Sequence, residues 1–130
     1  DFMSDKPKSV LDIIGCYKEL ETRLAKVEGI GEVIIDSGDV GFSQDPLLTS
    51  GENKKRQRTV KIKFGEKFKT VMEVIPSIKT LDSHHKCNVR IDVSAENITN
   101  EGFDLIITTW YDTMVWVINV KWYAIGTRKI

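Results

Sequence analysis

The sequence predicts an all-β fold, a six-stranded antiparallel β-sandwich, preceded by an N-terminal α-helix that forms a coiled coil. After residue 30, short stretches of β-forming residues alternate with polar connections that contain glycine or proline, a pattern typical of a sandwich. Before residue 30, apolar residues follow a heptad spacing, which is typical of a coiled coil. We therefore expect a flexible N-terminus over 1–8, an oligomerisation helix over 9–29 and the sandwich over 30–130.

The composition limits the classes of partner. The chain of 130 residues is long enough for one domain and one appended element. Hydrophobic residues make up 41% and charged residues 29% of the chain, a balance typical of a globular protein with a packed core. The 19 basic and 19 acidic residues cancel, which removes the general electrostatic argument for nucleic acid as a partner. Since no apolar run approaches the ~20 residues that span a bilayer, we expect no membrane insertion.

The predicted helix carries one narrow apolar stripe. Six side chains alternate between the a and d positions of a heptad: Val10, Ile13, Tyr17, Leu20, Leu24 and Val27. Ser9 is a suitable N-cap, and Gly29 predicts the end of the helix. The predicted helical stretch from Val10 to Val27 is ~27 Å long, and a single helix of this length is marginal in water, so it needs a packing partner. We favour self-association, and packing against the chain's own sandwich is the alternative.

The predicted strands follow the alternation of apolar and polar residues. In chain order they are 32–35, 60–64, 70–75, 89–95 and the two arms of a hairpin over 102–122. Pro76 is expected to end the third strand. A long polar loop is predicted over 36–59, and long loops in small domains tend to carry function.

Aromatic residues lie close to the predicted hairpin turn at 112–113. Trp110, Tyr111 and Trp116 flank this turn, where they can form a flat stacking surface instead of core. Burial in the core is the alternative for both tryptophans. Arg90 lies on the polar face of another predicted strand and offers a planar guanidinium for hydroxyls or a carboxylate. An aromatic platform beside a guanidinium suits a polar ligand such as a sugar.

The chain from 51 to 126 also resembles a known family. The residues that carry the resemblance are Ile62-Lys63-Phe64, Pro76 to Asp82, Asn88-Val89-Arg90, Gly102-Phe103, Thr109-Trp110, Thr113, Val115 and Trp122. In this spacing they resemble the H-type lectin domain, the family of the snail agglutinins and of the C-terminal domain of the discoidins. The resemblance implies a sandwich that assembles as a trimer or a stacked hexamer. It also implies recognition of terminal galactose or N-acetylgalactosamine at the junction between protomers, with no metal ion or cofactor.

The resemblance assigns the sugar site residue by residue. The family's sugar-binding positions fall on Gly51, Asn53, Arg90, Trp110, Tyr111 and Trp116. Asn53 stands where the snail pattern has an aspartate, so a charged acceptor becomes an amide that both accepts and donates. Tyr111 replaces a histidine and Trp116 replaces a tyrosine, which keeps the aromatic faces but changes their polar tips.

The preferred hypothesis is a carbohydrate-binding lectin, secreted or at the cell surface. One alternative is a structural or protein-interaction assembly module with a degenerate sugar site. A third hypothesis is polyanion binding by the basic run Lys54 to Arg58, although such a run is usually a solvated loop. The sequence contains no nucleophile elbow, phosphate loop or paired-carboxylate motif, so we do not expect an enzyme.

The remaining reactive residues have simpler interpretations. His84, His85 and Cys87 fall in one predicted loop, but adjacent histidines diverge and no second cluster completes a metal site. Cys16 and Cys87 are expected to be free thiols, with a Cys16 bridge between chains as the alternative. Asn97 begins an N-glycosylation pattern, which matters only in a secreted protein.

Overall fold

Six strands form two antiparallel sheets. The computed structural model describes residues 13–20 and 31–129 of the chain. The strands are β1 Glu32–Ser43, β2 Arg56–Lys63, β3 Thr70–Ser83, β4 Ile91–Glu96, β5 Gly102–Thr109 and β6 Val115–Arg128. The strand orders in the two sheets are β1-β6-β3 and β2-β5-β4. The predicted six-stranded antiparallel sandwich is therefore confirmed.

The core lies between the central strands of the two sheets. Alternate residues of β5 and β6 are buried there: Phe103, Leu105, Ile107, Ile118, Val120, Trp122 and Ala124. This alternation follows from the two-residue period of a strand. Phe103 and Trp122 pack edge to face with ring centroids 5.3 Å apart, a favourable aromatic geometry. Trp122 is thus a core residue, as its strand face predicts.

The predicted hairpin over 102–122 is wrong. β5 and β6 belong to different sheets, so the residues between them carry the chain across the sandwich. Both a hairpin and such a crossover consist of β-forming residues around a short polar segment, so local sequence does not distinguish them. As a consequence, the aromatic residues on the two sides of this segment do not share one surface.

The first strand is longer than predicted. β1 continues to Ser43, through glycines that the sequence suggested were loop residues. A Cβ atom at Gly38 would lie 2.7 Å from the indole of Trp122, and one at Gly41 would collide with the side chain of Asn119. These glycines therefore permit close approach of β1 to β6, a recognised role of glycine within strands.

The third strand does not end at Pro76. β3 runs through it to Ser83, and Pro76 is paired with Trp122 of β6. β3 is an edge strand of its sheet, where a residue without a backbone N–H is tolerated. The fourth strand begins two residues later than predicted, at Ile91.

The helix and the sandwich, Val33–Arg128, form separate compact units. Residues 13–20 are helical, and Ile13, Tyr17 and Leu20 are exposed on it. Exposed apolar residues at this spacing lie on one helix face and are typical of a helix that packs against a partner. The other predicted stripe positions and the N-terminus over 1–8 lie outside the described residues, so the coiled coil stays a prediction. No helix in the described ranges is long and apolar enough to cross a membrane.

The connection between β1 and β2 is anchored by Asp45. Its Oδ1 accepts hydrogen bonds from the backbone N–H groups of Leu47 at 2.9 Å and Leu48 at 3.2 Å. Its carboxylate also accepts a bond from Arg58 Nε at 2.9 Å. Leu48 is buried in the core, and its carbonyl accepts the N–H of Val115 at 2.9 Å. The loop is thereby tied to β2 and to the start of β6.

We predict that acid weakens this anchor. Partial burial raises the pKa of Asp45, but the hydrogen bonds from Arg58 and the two backbone N–H groups outweigh it, so its pKa lies below the ordinary 3.8. A carboxyl with a lowered folded-state pKa contributes stability above its unfolded pKa and loses it as the pH falls through the folded value. Asp45→Asn should therefore lose about 1–2 kcal/mol of unfolding free energy at pH 7.

Urea denaturation of Asp45→Asn at pH 7 and pH 3 measures this effect. The difference from the parent protein should begin to shrink below pH about 4, where the aspartate of the unfolded chain takes up a proton, and should continue to shrink as the pH falls through the lower folded-state pKa. Asp39→Asn is the matched control, because Asp39 is 56% exposed and its ion pairs with Lys79 and Lys121 are at the surface, where such pairs contribute little. A stability loss for Asp45→Asn that is the same at both pH values would contradict the electrostatic account.

Candidate functional site

Four of the six predicted sugar-site residues line one groove. The groove has a volume of about 550 Å³, within the range of ligand sites. Its lining comes from three connections: the β1–β2 loop, the segment before β4 and the crossover after β5. The lining residues are Asn53, Lys54, Lys55, Asn88, Arg90, Trp110 and Tyr111.

A buried arginine holds the crossover in place. Arg56, at the start of β2, is only 1% exposed. Its Nη1 donates to the carbonyl of Thr113 at 2.8 Å, and its Nη2 donates to the carbonyl of Tyr111 at 2.9 Å. Its Nε donates to the carbonyl of Lys54 at 3.3 Å. A buried charge needs such partners, and here the partners are backbone groups of two groove walls.

Thr113 joins the crossover to the third wall. It is fully buried, its hydroxyl donates to the carbonyl of Asn88 at 2.8 Å, and it accepts the backbone N–H of Arg90 at 2.9 Å. Asp112 Oδ1 accepts two further bonds, from the backbone N–H and the side-chain amide of Asn88, each at 3.2 Å. The bond from Arg90 to Thr113 uses the backbone N–H of Arg90, so the guanidinium of Arg90 can face the groove.

The aromatic residues of the groove are partly open to solvent. Trp110 is 39% and Tyr111 is 45% exposed, so neither belongs to the core. Tyr111 has a φ of 60°, which is uncommon for a residue other than glycine. Strained residues of this kind cluster at binding sites, where surrounding contacts hold them. The guanidinium carbon of Arg90 lies 5.6 Å from the Tyr111 ring centroid, within range of a cation–π contact.

Gly51 is not one of the residues that line the groove. It adopts a φ of +66°, and a Cβ atom there would lie 2.9 Å from Met114 Cγ. Glycine therefore allows the β1–β2 loop to approach the crossover. Its structural contribution is to the shape of the loop that carries Asn53.

The structure does not bring Trp116 into the groove within one protomer. Trp116 lies on β6, in the other sheet, and its ring centroid is 6.0 Å from that of His84. Its carbonyl accepts the backbone N–H of Gln44 at 2.8 Å. The physical reason is the crossover, which leaves Trp110 next to the end of β5 and places Trp116 on β6, in the other sheet. The assignment of Trp116 to a sugar site stays a prediction.

Sequence reasoning missed three groove residues. Asn88 stands beside Arg90 in the family resemblance, but only the fold shows that it lines the groove. Lys54 and Lys55 belong to the basic run Lys54 to Arg58, which local sequence presents as continuous. That run is interrupted because Arg56 is buried and Arg58 is paired with an aspartate at 2.9 Å. The segment is therefore not one continuous run of solvated cations.

A second depression adjoins the groove. It has a volume of about 710 Å³ and lies on the β2-β5-β4 sheet. Lys55 and Trp110 line both depressions. The second is otherwise lined by Gln57, Asp92, Ser94, Glu96, Ile106 and Thr108. Its carboxylates make it electrostatically different from the first groove.

The other reactive residues form no metal centre in the described ranges, where no three His, Cys, Asp or Glu side chains are placed to hold an ion. The rings of His84 and His85 stack with centroids 5.0 Å apart. Cys16 and Cys87 are free thiols, and a Cys16 bridge between chains stays untested. The Asn97 amide donates to Asp104 at 2.8 Å.

Residues 59–125 match the H-type lectin domain, and the chain belongs to that family. It is similar to a Fuscovulum blasticum protein named ATP synthase subunits region ORF 7, with 36% identity over 77 residues, which are 59% of this chain and 67% of that protein. It is also 30% identical to a discoidin-1 polypeptide of Dictyostelium discoideum over 87 residues, 66% of this chain and 34% of that one.

The fold is also similar to that of a solved relative. Wild-type discoidin II from Dictyostelium discoideum superposes with a TM-score of 0.65 and 26% identity, covering 75% of this chain and 38% of that one. The chain thus spans little more than a third of the length of the discoidins it matches. The predicted family resemblance is confirmed for the sandwich, and family and fold together support a carbohydrate-binding lectin.

We predict that Arg56→Lys destabilises the protein although it keeps the charge. An ammonium group cannot reproduce the forked geometry that bonds the carbonyls of Tyr111 and Thr113, so buried acceptors lose their partners. We expect a loss of about 2–4 kcal/mol in unfolding free energy, measured by urea denaturation. The control is Arg58→Lys, which changes a more exposed ion pair and should cost about 1 kcal/mol or less. Equal losses for the two variants would contradict the role of Arg56.

Proposed function

We propose that the protein binds terminal galactose or N-acetylgalactosamine multivalently, as a trimer or a stacked hexamer. Family membership supports binding in preference to catalysis. The observation that carries the proposal is the meeting of Asn53, Arg90 and the open face of Trp110 in one groove. A secreted or cell-surface location, where glycans are displayed, is part of this proposal.

The groove offers complementary chemistry to the two sides of a pyranose ring. The apolar C–H face of galactose would stack on Trp110, as sugars do on exposed aromatic rings. Arg90 would donate to ring hydroxyls, and the amide of Asn53 can both donate and accept. Arg56 and Thr113 fix the groove walls before binding, which reduces the entropy lost when a ligand is held.

Assembly would add avidity to weak single sites. The exposed stripe on the helix supports association of several chains, and linked sites raise the apparent affinity through effective concentration. Because Trp116 lies on the other sheet, its predicted place in the sugar site requires a neighbouring protomer. Gly51 would act through the conformation of the loop that carries Asn53.

A second candidate function is an assembly module with a lost or retargeted sugar site. The observation that favours it is the substitution of groove positions, since Asn53 and Tyr111 both depart from the family's pattern. A glycan array measured in EDTA, with free N-acetylgalactosamine as competitor, separates the two. Binding to glycans that free N-acetylgalactosamine inhibits supports the lectin. An array on which no glycan is bound supports the assembly module.

We predict that Arg90→Ala weakens binding to immobilised N-acetylgalactosamine at least about tenfold, because a charged donor contributes about 1.5–3 kcal/mol per hydrogen bond. The fold should survive, since Thr113 bonds the backbone of Arg90 and not its side chain. Lys86→Ala is the matched control, because it removes an exposed cation from the same connection but outside the groove lining. Unchanged binding by Arg90→Ala would refute the assignment.

A further inference from the structure

The lining of the groove carries an excess of positive charge. Its lining contains three cations, Lys54, Lys55 and Arg90, and no carboxylate. Lys54 pairs with Glu52 at 2.8 Å, but these side chains are 62% and 60% exposed, so water weakens the pair. Within the described part of the chain, neither Lys55 nor Arg90 forms an ion pair. Two cations thus face the groove without a carboxylate partner.

Three neighbouring acidic residues, Asp112, Asp92 and Glu96, lie outside the groove lining. Both carboxylate oxygens of Asp112 accept hydrogen bonds from the Asn88 amide, at 3.2 and 3.4 Å, and Asp112 is not part of the groove lining. Asp92 and Glu96 line the second depression instead. The groove therefore has a cationic lining, whereas the second depression combines Lys55 with two carboxylates.

We propose that the groove selects an acidic galactoside, one that carries a carboxylate or a sulfate, over its neutral counterpart. The inference rests on the lectin function proposed above and specifies its ligand class. The fork of Arg90 matches the planar oxygens of a carboxylate or two oxygens of a sulfate, while Lys55 supplies a compact second charge. Asn53 stands where the family pattern has an aspartate, so this position does not repel an anion.

The expected preference is modest and depends on salt. Exposed ion pairs contribute about 0.2–1 kcal/mol each, so two of them correspond to about a two- to thirtyfold preference. The screening length falls from about 10 Å at 0.1 M salt to about 3 Å at 1 M. Added salt should therefore reduce the preference for the acid while binding of the neutral sugar changes little.

The test compares three probes on the intact chain: methyl β-galactoside, its 3-O-sulfate and methyl β-galacturonide. Dissociation constants are measured by calorimetry at 50 mM and 500 mM sodium chloride. At least one acidic probe should bind about twofold or more tightly than the neutral one at 50 mM, with a smaller ratio at 500 mM. The acidic probe that binds more tightly shows whether the groove recognises a carboxylate or a sulfate.

A matched pair of variants assigns the preference to the groove. Lys55→Gln should lower the ratio of acidic to neutral affinity about two- to threefold. Lys61→Gln removes the same charge from an exposed position of β2 and should leave the ratio unchanged. Neutral binding equal to or tighter than both acids overturns the inference and leaves the lectin function standing. Equal effects of the two variants overturn the role of the groove. If no probe binds but N-acetylgalactosamine does, the inference alone is overturned, and if N-acetylgalactosamine also fails to bind, both proposals are overturned.

Discussion

The shape of the groove depends on one buried guanidinium. Arg56 bonds backbone carbonyls of the β1–β2 loop and of the crossover after β5, so two segments far apart in sequence share one anchor. Burial of a charge is unfavourable unless its hydrogen bonds are made, and the anchor is therefore effective only in this arrangement of the loops. The uncommon backbone conformation of Tyr111 is held by the same group.

The crossover explains which aromatic residues can act together. Trp110 follows the last residue of β5, and Trp116 lies near the start of β6 in the other sheet. The buried Thr113 between them bonds the segment that carries Arg90. The passage of the chain between sheets thus brings one tryptophan to the arginine and takes the other away, which makes one protomer's groove a site with a single exposed indole.

Local sequence rules predict part of this arrangement. The alternation of apolar residues predicts strands and the burial of Trp122, because a two-residue period reflects the strand itself. The same rules fail at Gly38, where glycine reflects a close approach between strands. They also fail at Arg56, because a cation in a basic run is ordinarily solvated. The convergence of Asn53 and Arg90 follows from the family resemblance, since no local period connects residues so far apart.

The most direct test of sugar binding is a titration of the isotope-labelled protein with N-acetylgalactosamine. Nuclear magnetic resonance spectra monitor the titration through the amide and indole N–H signals. Trp110 and Trp122 act as internal probes, because one indole lines the groove and the other lies in the core. We predict saturable shifts for Trp110, Tyr111, Arg90 and Asn53, with little change at Trp122. Saturating sugar that shifts none of these signals, or shifts only residues elsewhere, would contradict the account.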